Sequence, residues 1–101
     1  MSEAARRLRV RVIEGVLEGP GRCTTDRRRA AFAHAGGEGG AQALLDKATR
    51  TAWKVTDEEV AAARAAGVTE DQLFELVVAA ALGQATRQHD TALAAVAEAF
   101  A

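Results

Sequence analysis

The chain has 101 residues and a mass of 10.6 kDa, enough for one small domain that buries only about two thirds of the surface its unfolded form exposes. Its hydrophobic content of 49% leans on alanine, with three Phe, one Trp and no Tyr, which favours helices packed through Leu, Val and Ala over a β-sandwich. A net charge of −1 makes no general case for nucleic acid or an anionic membrane as partner, and a single cysteine, Cys23, excludes an intramolecular disulfide and a cysteine-based zinc cluster.

The charge is unevenly placed. Residues 1–30 carry eight Arg against four acids, and residues 31–101 five bases against ten acids, a division suited to orienting subunits. The opening MSEAARRLRVRVIEG is charged throughout and holds no apolar run long enough for a signal peptide or a membrane span, so the sequence reads as cytoplasmic.

In chain order, the spacing of Leu8, Val12, Ile13, Val16 and Leu17 predicts a helix over 4–18, stopped by GPGRC with the only proline, Pro20. Thr24, Thr25 and Asp26 offer N-caps for a short helix, DRRRAAFAHA, ended by GGEGG. Leu44, Leu45, Ala48, Ala52 and Trp53 predict a third helix from Ala41 to about Trp53. Thr56 to Glu59 and Thr69 to Gln72 are both capping boxes, and Gly67 between them suits a left-handed helix end. The helix from about Glu70 is apolar on almost every face through Leu82. Gly83 is a candidate kink, after which Leu93, Val96 and Phe100 restore an amphipathic pattern. The expectation is an all-α bundle of five or six helices without a sheet, filling one domain over 1–101.

The segment from Leu44 to Ala95, above all AAARAAGVTEDQLFELVVAAALG, resembles the carboxymuconolactone decarboxylase and alkylhydroperoxidase D-like family. The resemblance covers about half of the chain and does not extend to residues 1–40. It implies an all-α fold that assembles into trimers, hexamers or related oligomers. Peroxidase members carry Cys-x-x-Cys and, four residues on, His. Here those positions fall on Ala52, Val55 and Glu59, so the resemblance implies the scaffold without its thiol chemistry, which needs a thiolate and a resolving thiol.

Glu59 beside Trp53 and Val55 is a candidate general base whose pKa desolvation would raise, although its place in the capping box explains it structurally. Trp53, Lys54 and Val55 are the pocket candidates. Trp53 reads more simply as a core or interface residue, and Lys54 as a side chain reaching for solvent. Cys23 sits among arginines that would lower its pKa, yet it lacks a resolving partner. His34 and His89 lack ligand spacing, so no metal and no cofactor is expected, and His89-Asp90 reads as a solvated helical pair. Arg6, Arg7, Arg9, Arg11 and Arg27 to Arg29 fit either solvated faces or phosphate contacts.

The leading expectation is a redox-inactive oligomeric scaffold or accessory subunit. It would pair with itself or with a catalytically complete relative through Leu73, Phe74, Val77 and Val78. The alternatives are an enzyme of the decarboxylase or isomerase type using Glu59 for proton transfer, and nucleic-acid binding through the basic first third. A helix-turn-helix reading of EEVAAARAAGVTEDQLFEL is opposed by Glu70 and Asp71, which open its second helix and would repel phosphates.

Overall fold

The computed structural model describes residues 1–34 and 41–101, and within them are five α-helices and no strand. They are α1 (Glu3–Glu18), α2 (Thr25–Phe32), α3 (Ala41–Arg50), α4 (Asp57–Ala65) and α5 (Glu70–Ala99), with a turn of 3-10 helix, Ala52–Lys54, between α3 and α4. The GGEGG segment, expected to stop the second helix, lies outside the described residues.

Short polar side chains start four of the helices by accepting from otherwise unpaired amides. Ser2 Oγ accepts from Ala5 at 3.1 Å, and Thr24 Oγ1 accepts from Arg27 at 3.2 Å. Both predicted capping boxes are closed, Thr56 with Glu59 and Thr69 with Gln72. Gly67 ends α4 at φ 90°, which lets its own N–H reach Arg64 O at 3.0 Å and the Val68 N–H reach Ala63 O at 3.2 Å. That is a Schellman ending, and Val68 and Ala63 are both buried beside it. α2 ends earlier than predicted because His34, at φ 63°, takes the left-handed position, with its N–H on Ala31 O at 3.1 Å.

The core gathers on α5. Leu76, fully buried, and Ala79 and Ala80 meet Leu17, Cys23, Ala31, Leu45 and Val68, with Ile13, Val16, Phe32, Leu73 and Val77 packed around them. α2 lies most closely on α5, α3 packs beside it, and α4 packs on α3. Two predicted core positions on α1 are not used, since Leu8 is 62% and Val12 49% exposed.

Gly83 does not interrupt the helix, and the 30 residues of α5 run through it without a break. A Cβ at this position would lie 2.7 Å from Phe32 C and 2.9 Å from Phe32 Cα, so the glycine lets the end of α2 touch the α5 backbone. Gly83→Ala would gain about 0.5–1 kcal/mol of helix propensity and lose about 1–3 kcal/mol to overpacking against main chain that cannot rotate away. The expected result is a melting temperature lowered by several degrees in thermal circular dichroism, a net loss of about 1 kcal/mol being worth roughly 4–8 °C in a chain of this size. A raised melting temperature would refute the close approach.

Candidate functional site

Of the three positions where the family resemblance places a reactive group, only Glu59 can ionise. Ala52, the first residue of the 3-10 turn, is exposed, and Val55, just after it, is half-buried. Lys54 is exposed, and Trp53 is 79% exposed, so the tryptophan is not in the core of this chain. The physical reason is local: α3 stops at Arg50, so Trp53 lies in the turn that follows and not on the helix that buries Leu44 and Leu45.

Glu59 is engaged through one carboxylate oxygen. Its Oε1 accepts from Lys47 Nζ at 2.8 Å and from the Thr56 amide and hydroxyl, each at 3.1 Å. The Lys47 hydrogen bond is the largest influence on the carboxyl and outweighs desolvation, so its pKa lies below the ordinary value. This corrects the raised pKa expected from Trp53 and Val55. A carboxylate made more acidic is a weaker base, and this one also holds the start of α4.

A second polar cluster lies where the GPGRC loop meets α5. Glu75 Oε1 accepts from the Arg22 amide at 2.7 Å, and Oε2 accepts from the Arg22 and Cys23 amides at 3.0 and 2.6 Å. These amide donors, first among them Arg22, lower the Glu75 pKa despite partial desolvation. Gln72 Nε2 donates to Arg22 O at 3.3 Å, and Cys23 Sγ donates to Gln72 O at 3.4 Å. Gly21 leaves room for this closure, because a Cβ there would lie 3.0 Å from Glu75 Cδ.

Two arginines expected on solvated faces are structural. Arg28 is buried and its Nη1 donates to Val16 O at 3.0 Å, satisfying a carbonyl at the C-terminal end of α1 where the helix dipole favours a cation. Arg9 reaches across to α5, with Nη2 on Asp90 at 2.8 Å and Nη1 on His89 Nδ1 at 3.0 Å, so His89 and Asp90 tie α5 to α1 and are not a simple solvated pair. Arg29 pairs with Glu18, and Arg6 and Arg7 with Glu3. Much of the basic first third therefore already has partners.

The interface candidates divide between two faces. Leu73 and Val77 pack against the core, whereas Phe74 and Val78 are 70% and 37% exposed. These last two line a cleft of about 200 Å³ with Gly15, Val16, Pro20, Arg28 and Glu75. Among the described residues no group of three or more His, Cys, Asp or Glu is gathered as a metal site, and no helix is long and apolar enough to cross a membrane. No family model, curated protein or solved structure matches the chain, so its functional reading rests on these residues themselves.

Two outcomes follow from the carboxylates and the thiol. Glu75 and Glu59 are more acidic folded than their ordinary value of 4.5, so the folded chain binds fewer protons than the unfolded one near that pH. Their contribution is complete above pH 4.5 and is lost as pH falls through the lower folded values. Urea midpoints for wild type and Glu75→Gln should therefore differ most near pH 7 and converge toward pH 3; a constant gap would refute the assignment. Burial is the main influence raising the Cys23 pKa, against the opposing effect of Arg27. Cys23 should react with an aromatic disulfide reagent far more slowly in the native protein than in urea, and equal rates would show an open thiol.

Proposed function

We propose that the chain is a redox-inactive, alkylhydroperoxidase D-like helical module that works by association, as a scaffold or accessory subunit. It pairs with itself or with a catalytically complete relative. The observation that carries this reading is unspent surface. The chain exposes 6696 Å², whereas a compact monomer of its mass exposes roughly 5,500 Å². Its radius of gyration is 15.3 Å, against about 13 Å for a compact chain of this length. The excess is on the order of 1,200 Å², more than the roughly 800 Å² that one partner contributes to a stable interface.

Much of that surface is greasy: Leu8, Phe74, Val96 and Phe100 are each more than half exposed. Burying one such side chain is worth about 1.5–3 kcal/mol, and an exposed ion pair typically under about 1 kcal/mol. Apolar contact therefore outweighs the Arg/Glu asymmetry as the source of association. The enzyme reading needs a free proton-transfer group at Glu59, and Lys47 and Thr56 already hold that carboxylate. The nucleic-acid reading needs a free basic face, and Arg9, Arg28 and Arg29 are spent on α5, α1 and Glu18.

Peroxide consumption with a dithiol reductant, and turnover of small lactones and β-keto acids, test the reading directly. Rates equal to buffer are expected for wild type and Glu59→Gln alike. Turnover above buffer that Glu59→Gln abolishes would replace the module with an enzyme.

A further inference from the structure

Two exposed apolar stripes run along the molecule, and each keeps the 3–4 spacing of a helix seam. On α5, Phe74 and Val78 begin a series that advances by alternating steps of four and three residues to Ala99. Every further position in it is alanine except Gln88, and all are exposed. The series spans 25 helical rises, about 38 Å at ~1.5 Å each, on the side of α5 opposite Leu76, Ala80 and Gly83. On α1 the same spacing links Ala5, Leu8, Val12 and Gly15, again all exposed. The helices run in opposite directions, since Arg9 meets His89 and Asp90 whereas Gly15 and Val16 lie by Phe74 and Val78. Gly15 shares the cleft with Phe74 and Val78, so both stripes open to one side there.

We infer that this α1–α5 face is covered by the same face of a second copy, related by a two-fold axis that sets the two α5 helices antiparallel. The inference deepens the association reading and rests on it. The 3–4 period is what a helix seam requires of each strand, and a two-fold contact requires one patch to complement itself. The register that sets position 74 against 99 of the second copy also sets 78 against 95, 81 against 92 and 85 against 88. Phe74 and Val78 then meet alanines, large against small at both ends, with the alanine-rich middle free for close approach.

Charge does not oppose the α5–α5 contact, because its series holds no ionised side chain from 74 to 99. The excess exposed area also exceeds what one partner of a stable dimer must supply. The same register brings the end of α5 in the second copy level with the cleft. Phe100, 87% exposed and just past the end of α5, then seats its ring between Gly15, Pro20 and Phe74 of the first copy.

Sedimentation equilibrium of the full chain, from about 1 to 100 μM in 0.15 M and 1 M NaCl, tests this. The expected species is a dimer at twice 10.6 kDa, no weaker at high salt. Ala85→Glu, next to the two-fold axis, should raise Kd at least 100-fold, and Phe100→Ala about 10-fold. Helicity by circular dichroism should be unchanged in both, since each site is exposed in the single chain and Glu is a good helix former. A trimer or larger ring, or a dimer indifferent to Ala85→Glu, would overturn the two-fold α5 seam and leave the association reading standing. A wild-type monomer at 100 μM would overturn the seam and self-pairing together, leaving a different partner chain for the module. Loss of helicity in Ala85→Glu would place that position inside the chain's own core and also overturn the seam.

Discussion

The Glu75 carboxylate is the contact on which the arrangement of the first two helices depends. α1 and α2 are separated by Gly19 to Thr24, a segment with a proline, two glycines and no regular hydrogen bonding of its own. Left free, such a linker would allow many relative orientations. Glu75 fixes it by taking the Arg22 and Cys23 amides, and Gln72 takes the Arg22 carbonyl, so consecutive peptide groups of the loop are held by side chains one turn apart on α5. Once the loop is seated, Leu17 before it and Ala31 after it both reach Leu76 and its neighbours, and Arg28 turns back to close the last turn of α1.

This arrangement makes α5 the spine, and it explains why one helix can be so apolar. Leu76, Ala79, Ala80 and Gly83 take α2, α3 and the loop, with small residues where the approach is closest. The opposite side carries Phe74, Val78 and the alanines that follow, and among the described residues it is exposed along its length, with α1 and the loop after it reaching only the edge at Phe74 and Val78. A helix apolar all round asks for burial all round, and here the chain meets half of that demand.

What was legible in the sequence is what local chemistry decides. Both capping boxes and the Gly67 ending depend on residues within five positions of one another, so spacing alone identifies them. Gly83, Arg28 and Glu75 were not legible, because each acquires its role from a partner far along the chain. Gly83 looks like a helix breaker until Phe32 lies on it. Arg28 looks like one of a solvated trio until Val16 needs a donor. Trp53 misled for the opposite reason: its spacing fits α3, but the helix ends before reaching it. The candidate site was half legible. Glu59 was placed correctly in its cap, whereas its partner Lys47, on another helix, reverses the pKa that a nearby tryptophan had suggested.

The same division between local and distant chemistry bears on function. A catalytic site concentrates groups whose demands are left partly unmet, such as a perturbed acid or an open thiol. Among the described residues, the titratable groups with shifted pKa values each have a partner: Glu59 has Lys47 and Thr56, Glu75 has the Arg22 and Cys23 amides, and the buried Cys23 has the Gln72 carbonyl. Among the described residues one buried polar atom, Arg28 Nε, lacks a partner, and the larger unmet demand is apolar and lies on the outer side of α1 and α5. Alanine is the residue that makes such a surface tolerable to a free chain, since it exposes little hydrocarbon and keeps the best helix propensity. It also lets two helix backbones come close when they meet. A stripe that is mostly alanine with Phe74 at one end, and with Phe100 just past its other end, can therefore remain dispersed at low concentration and still hold a partner by its anchored ends. That combination is the physical basis of the association proposed above.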